Sequence, residues 1–174
     1  MEFRFETTYD QKGFTAMARA LRKTVRKRSS RRSHVFGWCV IALAVLLVAV
    51  ERLLDEPWTL RDTLNCGVGA VLIAVLLTED QVNAFAARKK MLPGTSAAKS
   101  VFTEESYTST TEVAVSEFHY EAVQQVCETA DYFVLLLSRQ HGQIYDKASL
   151  SGGTAGEFRT FITEKTGKPI AYIK

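Results

Sequence analysis

The sequence predicts an α+β membrane protein: a two-helix transmembrane hairpin joined to a small curved β-sheet domain that is capped by a C-terminal helix. Three observations predict it. Val35 to Val50 contains no charged residue, and a second apolar run extends from Leu64 to Leu77. Segments rich in Thr, Val and aromatic residues are confined to the first nine positions and to the region after residue 98. The stretch "GTAGEFRTFITEKTG" carries helix start and stop signals around an apolar stripe.

The first element, residues 1–9, alternates. Phe3, Phe5, Thr7 and Tyr9 point one way and Glu2, Arg4, Glu6 and Thr8 the other, the period of a half-buried strand. A lone strand is unstable in water, so Phe3 and Phe5 are expected to dock on the C-terminal sheet. Residues 10–34 read as a basic amphipathic helix. Phe14, Met17, Ala18, Leu21 and Val25 share one face, with Arg19, Arg22, Lys23 and Arg26 opposite. This helix could lie on a membrane surface. The preferred reading makes it a stalk that packs on Val82, Phe85 and Ala86.

Residues 35–54 form the first expected span, about 30 Å of helix, which matches a hydrocarbon core. Residues 55–62 are the connecting loop, where Pro57 breaks the helix and Trp58 is an interfacial anchor. Residues 63–90 are the second span with its extension, and 91–98 ("MLPGTSAA") form a linker. Cys66, Ala70 and Ala74 recur every four residues, a face on which another helix can approach closely. Its partner is either the first span, through Ala42 and Ala49, or a second copy in a homo-oligomer.

The net charge of +3 conceals an asymmetry. Residues 1–34 hold ten Lys/Arg and three Asp/Glu, whereas residues 91–174 hold seven and ten. Arg22, Lys23, Arg26, Lys27, Arg28, Arg31 and Arg32 precede the first span, and Arg88, Lys89 and Lys90 follow the second. The positive-inside rule then puts both termini in the cytoplasm. These ten residues are the expected contacts with anionic lipid. Adjacency to a span argues against a nucleic-acid arm.

In the C-terminal domain, residues 99–174, short β-like runs are followed by "YFVLLL" (Tyr132–Leu137), the profile of a central strand. Thr154 and Glu157 form a capping box, with Phe158, Phe161 and Ile162 as the buried stripe. A small curved sheet closed by one C-terminal helix is similar to a pleckstrin-homology (PH)-like domain. On "SVFTEESYTST", "FHYEAVQQVCETADYFVLLLS" and "GTAGEFRTFITEKTG", the chain resembles the YcxB-like family of bacterial membrane proteins. The resemblance implies an N-terminal strand and helix, two spans and a C-terminal domain in the bacterial cytoplasmic membrane. The family's proline in the hairpin strand after the turn is missing, with "IYDKASL" in its place.

Nothing in the sequence points to chemistry. Cys39, Cys66 and Cys127 are too sparse for a disulfide framework, and His34, His119 and His141 lack metal-ligand spacing, so neither metal nor cofactor is expected. "SLSGGTAG" lacks the Lys-Ser/Thr ending of a phosphate loop, and its glycines read as the approach to a helix cap. A Ser151–His141–Asp146 triad has no nucleophile elbow. The expected function is that of a membrane-anchored, non-catalytic adaptor or regulatory module with a protein partner. The alternative is an accessory or immunity-type subunit of an integral membrane complex.

Overall fold

The computed structural model describes residues 2–174; Met1, the first residue of the expected strand segment, lies outside them. Strand β1 (Phe3–Thr8) buries alternate residues. It is followed by α1 (Gln11–Lys23), α2 (Lys27–Leu53), α3 (Leu60–Leu77) and α4 (Glu79–Lys89). Then come β2 (Ala97–Phe102), β3 (Ser106–Thr110), β4 (Val115–His119), β5 (Gln125–Glu128), β6 (Tyr132–Leu136), β7 (Gly142–Asp146), α5 (Ala155–Thr166) and β8 (Ile170–Tyr172). Where one curved sheet was expected there are two, ordered β1-β2-β3-β4 and β7-β6-β5-β8.

β1 pairs antiparallel with β2, Phe3 opposite Phe102 and Thr8 opposite Ala97. The four helices are therefore an excursion from one sheet edge that returns to the point it left. The pairing continues an aromatic row across the sheet, Phe102 opposite Tyr107 and Tyr107 opposite Phe118. Phe5 points into the space between the sheets, 4.9 Å from the Phe158 ring and 5.4 Å from that of Tyr145. Behind β1, Ser151 exchanges both backbone hydrogen bonds with Arg4.

Gly152 and Gly153 do more than lead into a helix cap. A Cβ on Gly152, at φ +88°, would lie 2.1 Å from the Glu2 carbonyl oxygen, and one on Gly153 would lie 2.6 Å from the Phe3 ring. The two glycines are the floor on which β1 lies.

The second sheet is covered on both faces, which explains why every residue of β6 is buried. One face packs on the first sheet and α5. On the other, Ala20 and Leu21 of α1 meet Val134, Leu136 and Ile144. Gly13 allows this approach, since a Cβ there would fall 2.4 Å from Ile144 Cδ1. Helix α5 has the expected box, Thr154 Oγ1 accepting from Glu157 N–H, and ends at Gly167 in the left-handed conformation. The chain continues past it into β8, parallel to β5, a strand the sequence reading lacked.

Three helical boundaries differ from expectation. The basic segment 10–34 is not one helix: Thr24 Oγ1 donates to the Ala20 carbonyl and Arg26 N–H to Leu21, so α1 stops and the chain turns before α2. Helix α3 starts at Leu60 rather than Thr63, because Thr59 and Asp62 form a second capping box. The second apolar helix and its extension are separate helices meeting at Thr78.

Candidate membrane-proximal site

Helices α2 and α3 are long and apolar enough to cross a membrane, and little of their apolar surface is buried. Their mutual seam is narrow. The residues of α2 withdrawn from the surface are, Val40 aside, Ser30, His34, Gly37, Ile41, Ala44, Val48 and Glu51. On α3 they are, Ile73 aside, Asp62, Asn65, Gly69, Leu72 and Leu76. Both sets alternate steps of three and four, the repeat of left-handed coiled-coil packing. Small residues bring the helices close, and Gly37 lies directly against Leu76.

The expected packing through Cys66, Ala70 and Ala74 against Ala42 and Ala49 is thereby corrected. The seam runs one position earlier on α3, a rotation of about 100°. Its register is fixed where Asp62 is buried near Arg52, 3.4 Å away. Cys66, Ala70 and Ala74 are exposed, and the first two line an apolar groove of about 440 Å³ beside the seam.

The stalk is likewise packed through small and polar residues. On α4, Ala84 is buried, while Val82 and Phe85, expected to face α1, are exposed. At the elbow where stalk and apolar helices meet, Arg22 grips Asp80 with two bonds of 2.7 Å, which raises the guanidinium pKa further. Arg19 stands 3.6 Å from the same carboxylate. Glu79 accepts from Ser30 at 3.4 Å and lies 2.6 Å from His34 Nε2. This belt ties α1, α2 and α4 into one joint.

The ten residues expected to meet anionic lipid separate into three groups. Arg22 is committed to Asp80. Lys23 donates to a main-chain oxygen of Lys174 at 2.7 Å and Arg26 to the Arg139 carbonyl at 2.5 Å, which docks the elbow on the sandwich. Lys27, Arg28, Arg31 and Arg32 have no acidic partner among the described residues and project from the first turns of α2. Arg88, Lys89 and Lys90 lie about 15 Å along α4 from Glu79, at the sandwich end. They are therefore not part of the elbow, because the stalk holds them away from it. Between elbow and sandwich is a cavity of about 660 Å³, with Lys23, Lys27, Arg31 and His34 on one wall and Tyr172 of β8 on the other.

The sandwich holds one buried ionic knot. Glu128 receives two bonds of 2.8 Å from Arg159 and one of 2.5 Å from Lys147, whose ammonium also lies 5.0 Å from the Phe133 ring centre. Burial pushes the Glu128 pKa up, but the two cations outweigh it and hold the carboxyl below its ordinary value. Burial raises the Cys127 thiol to about 11, leaving a packing residue rather than a nucleophile. The paper triad is dispersed: Ser151 is paired with Arg4, Asp146 caps Ala148, and His141 Nδ1 meets Ser138 at 3.2 Å. Among the described residues no cluster of His, Cys, Asp and Glu could hold a metal ion.

Residues 102–162 match the family model described as YcxB-like protein. Over that segment the sandwich is similar to YcxB-like proteins. The YcxB-like match begins at the end of β2 and stops within α5, so β1, the helical excursion and β8 lie outside it. No curated protein and no solved structure matches the chain.

Proposed function

We propose that the protein is a membrane-anchored adaptor of the bacterial cytoplasmic membrane, in which a PH-like domain acts by binding a protein partner and catalyses nothing. The observation that carries this reading is the insertion of the helical excursion between two adjacent strands. Whatever holds α2 and α3 also holds β1 and β2, so the sandwich is tethered at its own sheet edge rather than by a loose linker. Two packed sheets with α5 against them support the PH-like reading. The exposed apolar sides of α2 and α3, where Phe36 is 72% and Leu77 75% exposed, support a bilayer as their solvent. A net charge of −3 over residues 91–174 favours a protein ligand over a phosphorylated one on the domain itself. Strand β4, at the end of its sheet, begins with the exposed Val115, two residues after the exposed Val113, and offers an edge for strand pairing.

Orientation is tested with single cysteines at Ser30, Thr95 and Thr59. In intact cells a membrane-impermeant thiol reagent should modify only the one at Thr59. Modification at Thr95 without lysis would reverse the orientation.

The second reading is an accessory subunit of an integral membrane complex or a homo-oligomer, favoured by the open face of Cys66, Ala70 and Ala74. A photo-crosslinking residue separates the two. Cytosolic proteins captured from Val115 support the adaptor; membrane proteins captured from Ala70, with none from Val115, support the subunit.

A further inference from the structure

We propose that the cavity between the elbow and β8 takes a phosphate group carried by an anionic lipid headgroup. This rests on α2 crossing the bilayer. Lys27 and Arg31 are one helical turn apart on one side of α2, and neither has an acidic partner among the described residues. Lys23 lines the same cavity, with its ammonium held by a main-chain oxygen of Lys174. No carboxylate lines the cavity. Glu79 and Asp80 lie behind the wall, Asp80 held by Arg22 and Glu79 by Ser30 and His34. Two cations without an acidic partner, Lys27 and Arg31, therefore face a cavity whose lining holds no Asp or Glu, an arrangement an anion relieves. The opposite wall is the strand β8 with the residue after it, Ala171, Tyr172 and Ile173.

The height selects the source of the phosphate. Val35, where the uncharged run begins, is one turn beyond Arg31, so a phosphate held by Lys27 and Arg31 sits at headgroup level. Since the far wall is β8, the lipid would bridge bilayer and sandwich.

The full chain in phosphatidylcholine nanodiscs containing phosphatidylglycerol tests this, with co-purifying lipid measured by native mass spectrometry. The wild type should retain phosphatidylglycerol in excess of its share. Lys27→Gln with Arg31→Gln should weaken retention about 30-fold, a factor of about five for each basic residue. Arg28→Gln with Arg32→Gln removes equal charge from the neighbouring face and should leave most of it. Equal losses from the two double variants would mean a diffuse charge layer and overturn the pocket. A Tm raised by millimolar inorganic phosphate in detergent, without phosphatidylglycerol enrichment, would assign a free anion and overturn the lipid. Carbonate extraction separates the two levels. A wild type washed from membranes defeats the spanning reading, whereas an integral protein without enrichment defeats the pocket alone.

Discussion

Phe5 and Phe36 are the same side chain in opposite circumstances. Phe5 is enclosed by Phe102, Phe133, Tyr145 and Phe158, whereas Phe36 is 72% exposed on α2. The sandwich gets its shape by burying its apolar groups against one another. The hairpin gets its shape from a thin seam in which Gly37, Ala44 and Gly69 meet Ile41, Leu72 and Leu76, closed by polar groups at both ends, and turns most of its large apolar groups outward. The difference follows from the backbone. A helix satisfies its N–H and C=O groups internally and can present any side chain to a bilayer; a strand needs a neighbour before it is stable anywhere. Hence β1 depends on β2, while α2 and α3 depend on each other only for register.

The comparison is broken most severely by Phe3→Asp with Phe5→Asp. Each truncation of a buried phenylalanine costs about 3–5 kcal/mol before the charge is counted, against a total of about 5–15 kcal/mol for a domain. The sandwich should unfold while the hairpin stays inserted. Limited proteolysis of membranes from permeabilised cells should release a resistant fragment containing Thr103 to Gly167 from the wild type and none from the variant. Equal resistance would mean that β1 is dispensable to the sandwich.

Glu128→Gln is the next test, because it leaves Lys147 and Arg159 without their counter-charge at a buried position. The expected loss is about 3 kcal/mol, at the low end for a broken buried pair because Arg159 is partly exposed. The pH dependence has a definite sign. Because the Glu128 carboxyl is held below its ordinary value, its stabilisation is complete above the ordinary carboxylate range and is lost as pH falls through the depressed value. Urea melts of the wild type should weaken over that acid interval, and those of the variant should do so less.

The smallest effect compares the two capping boxes. Thr154→Ala should cost the sandwich about 1 kcal/mol, seen as a lower denaturation midpoint. Thr59→Ala, made at the tip of the hairpin, should leave that midpoint unchanged. A shift from Thr59→Ala would mean that the hairpin and the sandwich unfold together.

Elements whose signal is local were legible. The Phe3–Phe5–Thr7 alternation, the apolar run from Tyr132 and the Thr154–Glu157 box with Gly167 each reflect a rule satisfied within a few residues. The elements that were missed depend on distant partners. β8 is three residues long and exists because β5 offers an edge. The break at Thr24 carries neither Gly nor Pro and arises where the chain must leave the sheet surface. The α2–α3 seam is hidden for another reason: α2 is apolar on all sides, so hydropathy cannot distinguish the face of Gly37, Ile41 and Ala44 from the rest. Size could have, since Gly37 and Ala44 fall seven apart. At the stalk size misleads in the other direction, because the large apolar Val82 and Phe85 are exposed while the contact is made by Ala84 and the Asp80–Arg22 pair. The basic cluster before residue 35 was evident, but its division into tied and untied cations depends on Asp80 and on main-chain oxygens of Arg139 and Lys174 that no spacing reveals.

The pairing of Thr8 with Ala97 has a consequence for biogenesis. Ala97 is made 89 positions after Thr8, so at about 5–20 residues per second β1 waits several seconds for its neighbour. With α2 and α3 crossing as proposed, the hairpin is threaded during that wait. Two crossings return β2 to the side where β1 was left; a single crossing strands them on opposite faces of the bilayer, and the sheet can never close. Sheet closure therefore acts as a parity check on insertion. Chains with an even number of crossings acquire a protease-resistant domain, and chains with an odd number carry Phe3 and Phe5 exposed, the kind of surface that quality-control proteases and chaperones recognise.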